Sequence, residues 1–238
     1  MNSILPVYLG LIFGFLILLV RHAKSRSAIG VTEARGVYLL MALLAIWVLA
    51  LTWMGMLGLH SELMTTIPLL WQALVPVAIW FTALLLSPSI RRGLHGIALS
   101  TPSHWLAWVQ ALRVGAIGGV MKGISGEIDS GYVLWIGIPD MLFGISALLI
   151  GWLLLRGNLD QRMLMFWNLL GFGLIFFPTF LIMPYWMSEP GFNFIFEYPM
   201  ILAPGMVVAT LLSLNLMQAW AAWNERNRER TTGAHPAT

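Results

Sequence analysis

Apolar residues fall along this chain in seven long runs separated by short polar breaks. The runs are 4–20, 37–59, 67–86, 104–121, 133–155, 163–183 and 199–220. Each is close to the ~20 residues that a helix needs to cross a bilayer. Lipid offers the backbone no hydrogen-bond partners, so a spanning segment is a helix or a strand of a closed barrel. The runs are continuous and do not alternate with polar residues, which selects helices. The pattern predicts an all-α fold, a polytopic transmembrane seven-helix bundle over 1–223, with a polar and disordered cytoplasmic tail at 224–238.

The breaks set the orientation. Arg21, His22, Lys24 and Arg26 follow the first run, whereas a secretory signal carries its positive charge before it. The first run therefore reads as a retained helix with its N-terminus outside. Threading seven spans from there puts Arg21, Lys24, Arg26, Arg35, Arg91, Arg92, Arg156, Arg162, Arg226, Arg228 and Arg230 on the inner side. The outer loops hold Lys122 alone, and cytoplasmic loops are the ones that concentrate Lys and Arg. Aromatic residues fall in two belts: Trp53, Trp71, Tyr132, Trp135, Tyr185 and Trp186 towards the outer boundary, Trp105, Trp108, Trp152, Trp167, Trp220 and Trp223 towards the inner. Between Ser87-Pro88 and the fourth run, residues 93–103 form a connection of mixed polarity suited to the membrane surface. Spans one to three and five to seven run in the same directions, which allows a three-plus-one-plus-three repeat, and paired prolines (Pro68 and Pro76, Pro199 and Pro204) mark the third and seventh.

Composition narrows the function classes. Only 10% of residues are charged and 59% are apolar, whereas soluble domains average about 25% charged. The formal charge of +3 follows from the inner-side basic residues and does not point to nucleic acid. The lipid bilayer is the partner that the composition demands. The absence of Cys excludes disulfides, Cys-ligated clusters and thiol catalysis. No Lys lies in any run, which excludes a retinal Schiff base, and there is no phosphate-binding loop, HExxH or GxSxG. His22, His95 and His104 fall near the inner boundary without ligand spacing on one helix, so no metal or other cofactor is expected.

Against this background two charges stand out. Arg113 lies in the fourth run and Asp140 in the fifth, each about 10–12 Å below the outer boundary at about 1.5 Å per residue. Intramembrane charges are costly, pair with one another and mark functional positions. Arg113 and Asp140 are therefore expected to pair, either binding a small anionic group or fixing helix register. Gln110 shares a helix face with Arg113, Gln72 reaches a similar outer level, and Glu197 stands at the outer start of the seventh span, lining a vestibule or complementing the helix dipole. Asn168 lies nearer the inner side, within reach of Gln110. Gly144, Ala147 and Gly151 continue from Asp140 as a stripe of small residues, and Gly115 and Gly119 form a GxxxG motif on another face of the fourth helix; both suit close helix contact. Pro139 removes a backbone donor beside the acid, and Pro204-Gly205 is placed to kink or break the seventh helix.

Gln110 and Arg113 with glycines following, Asp140 with Gly144 four residues later, and Trp167-Asn168 opening the next span resemble a family of small, uncharacterised bacterial integral membrane proteins. The resemblance covers roughly spans three to six. Family members usually carry Gly before the acid, where this chain has Pro139. The resemblance implies a bacterial inner-membrane location and singles out the same polar residues; it implies no reaction. Three classes of function follow. The first is a small transporter, channel or binder of a small or anionic solute or lipid. The second is a structural or accessory protein that packs against partner helices or further copies of itself. The third is a membrane-embedded enzyme, which needs titratable groups converging in one pocket, with Asp140, Glu197 and Glu62 available on the outer side.

Overall fold

A computed structural model of the chain describes residues 4–59, 71–182, 195 and 197–232. Every described element is helical. We number the helical rods in chain order. α1 is Ile4–Ser25, α2 Val31–Met56, α3 Trp71–Leu86 and α4 Pro88–Ser100. α5 runs without a break through Ser103–Val109, a 3-10 stretch Gln110–Ala116 and Ile117–Ile124. α6 is Ser130–Leu155, with a π-helical turn at Val133–Gly137. α7 is Gln161–Phe177 continued by a π turn Pro178–Ile182, and α8 is a π turn Ala203–Val207 continued by Val208–Thr232.

α1, α2, α6 and α8 are long and apolar enough to cross a membrane; α3 and α4 meet at a 105° bend, and Gln161–Phe177 is a shorter apolar helix. The outer surface agrees: Ile46, Leu49, Phe81, Leu86, Leu148 and Phe166 are all exposed, where a soluble monomer would leave few contiguous apolar patches. The fold is that of a membrane-embedded helical protein. α4 is the mixed-polarity connection after the third run, and it starts five residues earlier than its polarity suggests, at Pro88. Ser87 accepts a hydrogen bond from the Ile90 amide at 3.3 Å and Pro88 occupies the first turn, a helix start written into the sequence. Arg92 on α4 reaches Glu33 on α2 at 3.4 Å, and Gly93 lies against Val37 and the Glu33 backbone.

Several rods end where the chain supplies a left-handed residue. Gly126 and Gly157 have φ of 76° and 70°. Behind each, the paired bonds Glu127 N–H to Lys122 O with Gly126 N–H to Gly123 O, and Asn158 N–H to Leu153 O with Gly157 N–H to Leu154 O, close a Schellman turn. α1 closes the same way, but with Ser27 at φ 55°. Asp160 starts α7 by accepting from the Arg162 amide at 2.6 Å.

Contacts define two ends. At the end where α1 begins, here called upper, lie the last turn of α5 and the first turns of α6 and α8. At the lower end His22 of α1 meets the Ser100 carbonyl at 3.2 Å, and Gln218 of α8 donates to the Ser103 carbonyl at 2.7 Å. Two expectations are corrected. The chain from Asn224 to Thr232 continues the α8 helix and is not a disordered tail. Gln110 and Asn168 do not bond each other: Gln110 donates to the Leu211 carbonyl at 3.1 Å and Asn168 to the Leu164 carbonyl of its own helix at 2.9 Å. Pro68, Glu62, Tyr185, Trp186 and residues 233–238 lie outside the described residues.

A left-handed conformation strains any residue with a Cβ. Because Ser27 is exposed and contributes little packing, Ser27→Gly is expected to stabilise the protein by about 1 kcal/mol, read as a raised Tm of the detergent-solubilised protein.

Candidate functional site

The site begins with a charge that has to be neutralised locally. Arg113 is 3% exposed, and burying a guanidinium without partners costs several kcal/mol. Its partners come from two other rods. Nε lies 2.8 Å from Oδ1 of Asp140 on α6, and Nη1 and Nη2 both donate to the Gly171 carbonyl on α7 at 3.0 Å. The guanidinium carbon sits 4.6 Å from the centre of the Phe143 ring, a cation–π contact. Oδ1 accepts no well-aligned hydrogen bond among the described residues. The short Nε contact is thus ionic, with the N–H pointing off the line to that oxygen.

Small residues make this meeting possible. A Cβ on Gly144 would stand 2.6 Å from the Val114 amide nitrogen and 2.9 Å from the Arg113 carbonyl carbon, and one on Gly151 would enter the Trp108 ring at 2.2 Å. Ala147 between them is fully buried. This stripe is the seam along which α5 and α6 pack. Gly171 is pressed under the Phe143 ring, which stacks on Trp167 at 4.4 Å between centroids. Trp167 in turn donates to the Ser146 hydroxyl at 3.0 Å. Gly115 and Gly119 belong to a different surface. Gly115 cradles the Tyr8 ring of α1, and a Cβ on Gly119 would stand 3.5 Å from the Tyr132 ring of α6, so the GxxxG face receives two tyrosine rings where a bare helix crossing was expected.

Above the ion pair a cavity of about 210 Å³ opens between the upper parts of α1, α5, α6 and α8. Asp140 and Arg113 form part of its wall, with Tyr8, Tyr132, Lys122 and Thr179 as its other polar side chains and mainly apolar residues between them. Four departures from α-helical winding among the described residues contribute to this wall: Arg113 and Ala116 from the 3-10 stretch, Ile136 and Gly137 from the first π turn, Thr179 from the second, Pro204 and Val207 from the third. Prolines account for the π turns. A proline lacks the N–H and its ring crowds the carbonyl four residues back. Pro139 follows the first widened turn, Pro178 opens the second and Pro204 lies in the third. Pro204-Gly205 does not leave a carbonyl waiting for a ligand, because Trp47 of α2 donates to Gly205 O at 3.0 Å.

Near the cavity mouth Lys122 is 3.1 Å from Glu127, which also accepts from Ser125 at 2.8 Å. These two hydrogen bonds, Ser125's first and Lys122's second, hold the Glu127 carboxyl below its ordinary range. The cluster is therefore intact at neutral pH and is lost as acidity carries through that lowered value.

Gln110 is buried one turn below Arg113. Gln72 is buried but does not line the cavity, although its neighbour Ala73 does. Glu197 is exposed and stands apart from the cavity wall. The three histidines sit against tryptophans: His22 on Trp105 at 4.9 Å, His95 on Trp220 at 4.7 Å and His104 on Trp108 at 5.1 Å. Compared with known protein families, curated proteins and solved structures, the chain finds no match in any of the three.

Gly144→Ala is expected to destabilise the protein by about 1–3 kcal/mol, because its Cβ would meet backbone and not a movable side chain. Gly119→Ala, whose Cβ would make ordinary contact, is expected to change stability by much less. Thermal unfolding of the two variants side by side checks the contrast.

Proposed function

We propose that this is a seven-span protein of the bacterial cytoplasmic membrane, N-terminus outside, that binds a small, mainly apolar molecule with a polar end in the cavity above Arg113 and Asp140. One observation carries the reading: the buried charged pair at mid-rod lies in the wall of a cavity, and the described 3-10 and π turns of α5 to α8 contribute to that wall. Intramembrane ionisable residues face cavities where they serve a solute, and π turns cluster at functional sites. The eleven-to-one distribution of Lys and Arg supports the orientation, and the resemblance to small bacterial membrane proteins supports the location.

The geometry refines the expected ligand. Arg113 already holds a carboxylate and a carbonyl, so a free anion would reach it only if the pair opened. Asp140 is the more accessible partner, its side chain 15% exposed against 2% for Arg113. A ligand hydroxyl or amine donating to Asp140, with an apolar body among Ile136, Val207 and Leu211, fits the wall better than a lone anion does. The competing reading is a purely structural clamp. It rests on the same satisfied arginine and expects no ligand.

Native mass spectrometry on protein extracted with its own lipid separates the two. A defined small molecule or lipid bound to the wild type and lost from folded Asp140→Asn is the expected result; an empty wild type supports the clamp. The chain has no native Cys, so single cysteines report topology directly. Ser125→Cys and the cavity-wall variant Ala116→Cys are expected to react with an impermeant thiol reagent applied from outside, and Asn158→Cys only from inside. The reverse pattern for Ser125 and Asn158 would invert the orientation.

A further inference from the structure

Below Arg113 the interior does not become purely apolar. Gln110, Asn168, Thr210, Asn215 and Gln218 are all at most 1% exposed. Among the described residues Gln110 Oε1, Asn168 Oδ1, Thr210 Oγ1, Gln218 Oε1 and both side-chain polar atoms of Asn215 have no hydrogen-bond partner. Buried polar atoms are nearly always paired, and orphans call for an explanation. So many on adjoining rods is not what a permanent, water-free core requires.

The amides of α5 and α8 form a line. α5 and α8 are antiparallel, and two rungs set their register: Gln110 to Leu211 O and Gln218 to Ser103 O. Each pair of rung positions is seven residues apart on its own rod, so the register holds between them. On α8 the residues Val208, Leu211, Asn215, Gln218, Ala222 and Glu225 recur at alternating spacings of three and four, one face of a helix. Val208 and Leu211 line the upper cavity. Asn215 is orphaned at both polar atoms and Gln218 at its oxygen. Glu225 lines a second opening of about 720 Å³ at the lower end, shared with His22, Arg26 and Ser103. A single face of α8 thus runs from one cavity, through a closed polar seam, to the other. Asn168 flanks it from α7, three residues below the Gly171 carbonyl that Arg113 holds.

We propose that this seam is a translocation route, closed in this conformation, that joins the upper cavity to the lower opening and passes a small neutral molecule able to exchange hydrogen bonds with amides. The inference rests on the ligand-binding reading of the upper cavity and extends it to transport. Closed, the seam leaves the oxygens of Gln110 and Gln218 and both polar atoms of Asn215 unsatisfied; parting α5 from α8 by the width of a small solute would let water or the solute satisfy them, which favours a second state. Its side chains from Gln110 to Gln218 carry no formal charge, so an ion would meet no counter-charge there while a neutral polar molecule would find donors and acceptors.

Two reagents of similar size test both parts: neutral iodoacetamide and anionic iodoacetate, applied to membrane vesicles bearing single cysteines. Asn215→Cys and Gln218→Cys are expected to react with iodoacetamide roughly tenfold or more faster than Leu216→Cys, because a thiol in lipid does not ionise. Leu216 is 44% exposed on the lipid-facing side of the same rod. Relative to the loop variant Ser125→Cys, both seam cysteines are expected to disfavour iodoacetate. Reaction no faster than Leu216→Cys at both positions would overturn the route, and equal reaction with the two reagents would overturn a neutral permeant. If Asn215→Cys does not accumulate folded, Gln218→Cys decides. Ala116→Cys keeps the two readings apart: if it reacts while the seam stays silent, the cavity stands and the route fails, whereas a reactive seam below an unreactive Ala116→Cys would remove the upper cavity as the ligand's site.

Discussion

A guanidinium buried among apolar rods must be met by fixed partners, because apolar side chains offer it none. That requirement at Arg113 organises the upper half of this protein. Asp140 supplies the countercharge from α6, the Gly171 carbonyl takes two N–H donors from α7, and the Phe143 ring covers the flat face. Each partner arrives only because a small residue lets its rod approach: Gly144 beside the Arg113 backbone, Gly171 beneath Phe143. The pair, the glycine stripe and the stacked Phe143–Trp167 rings are therefore one unit, and changes to any of them are expected to couple. Removing one charge strands the other, which is the costly event; removing both leaves a smaller defect.

The same region is where the helices stop being regular. Tight winding at Gln110–Ala116 and three widened turns beside Pro139, Pro178 and Pro204 all contribute to the cavity wall. Regular α-helices with long apolar side chains pack tightly and leave few voids. Prolines and glycines spent at these places keep a void open next to a charge, which is a reason to read the cavity as a binding site and not as a packing fault. Lower down, α8 trades apolar residues for amides on the face it turns to α5, and the rod continues through Arg228 past the lower opening. The proposed binding above and the proposed passage below thereby share one helix.

Much of this was legible in the chain before any coordinates. Apolar runs locate the rods, since continuous hydrophobicity at this length has few other solutions, and two charges in apolar surroundings announce each other. Gly144, Ala147 and Gly151 declare a seam by their spacing. Other features were hidden for physical reasons. The Gly171 carbonyl is a backbone acceptor, and every residue has one, so nothing in the residue type marks it. Trp47 on the Gly205 carbonyl and Gln110 on the Leu211 carbonyl are hidden for the same reason. The GxxxG at Gly115 and Gly119 gives room without saying what fills it, and Tyr8 comes from a rod a hundred residues away in sequence. Polarity after Asn224 reads as a tail, yet helix propagation needs no apolar face once a long rod has nucleated it. The amides at Asn215 and Gln218 were visible as letters; only the register of α5 against α8 shows that they lie on one line with Leu211 and Glu225.

The measurement that bears most directly on Arg113 and Asp140 is a double-mutant cycle on unfolding, with Asp140→Asn, Arg113→Gln and both together. If the two hold the rods by direct pairing, each single variant loses about 3–5 kcal/mol, and the double variant is more stable than the sum of the single losses allows by well over 1 kcal/mol. Additive losses would mean that the 2.8 Å contact carries no coupling, and that Arg113 is held by the Gly171 carbonyl and its packing alone.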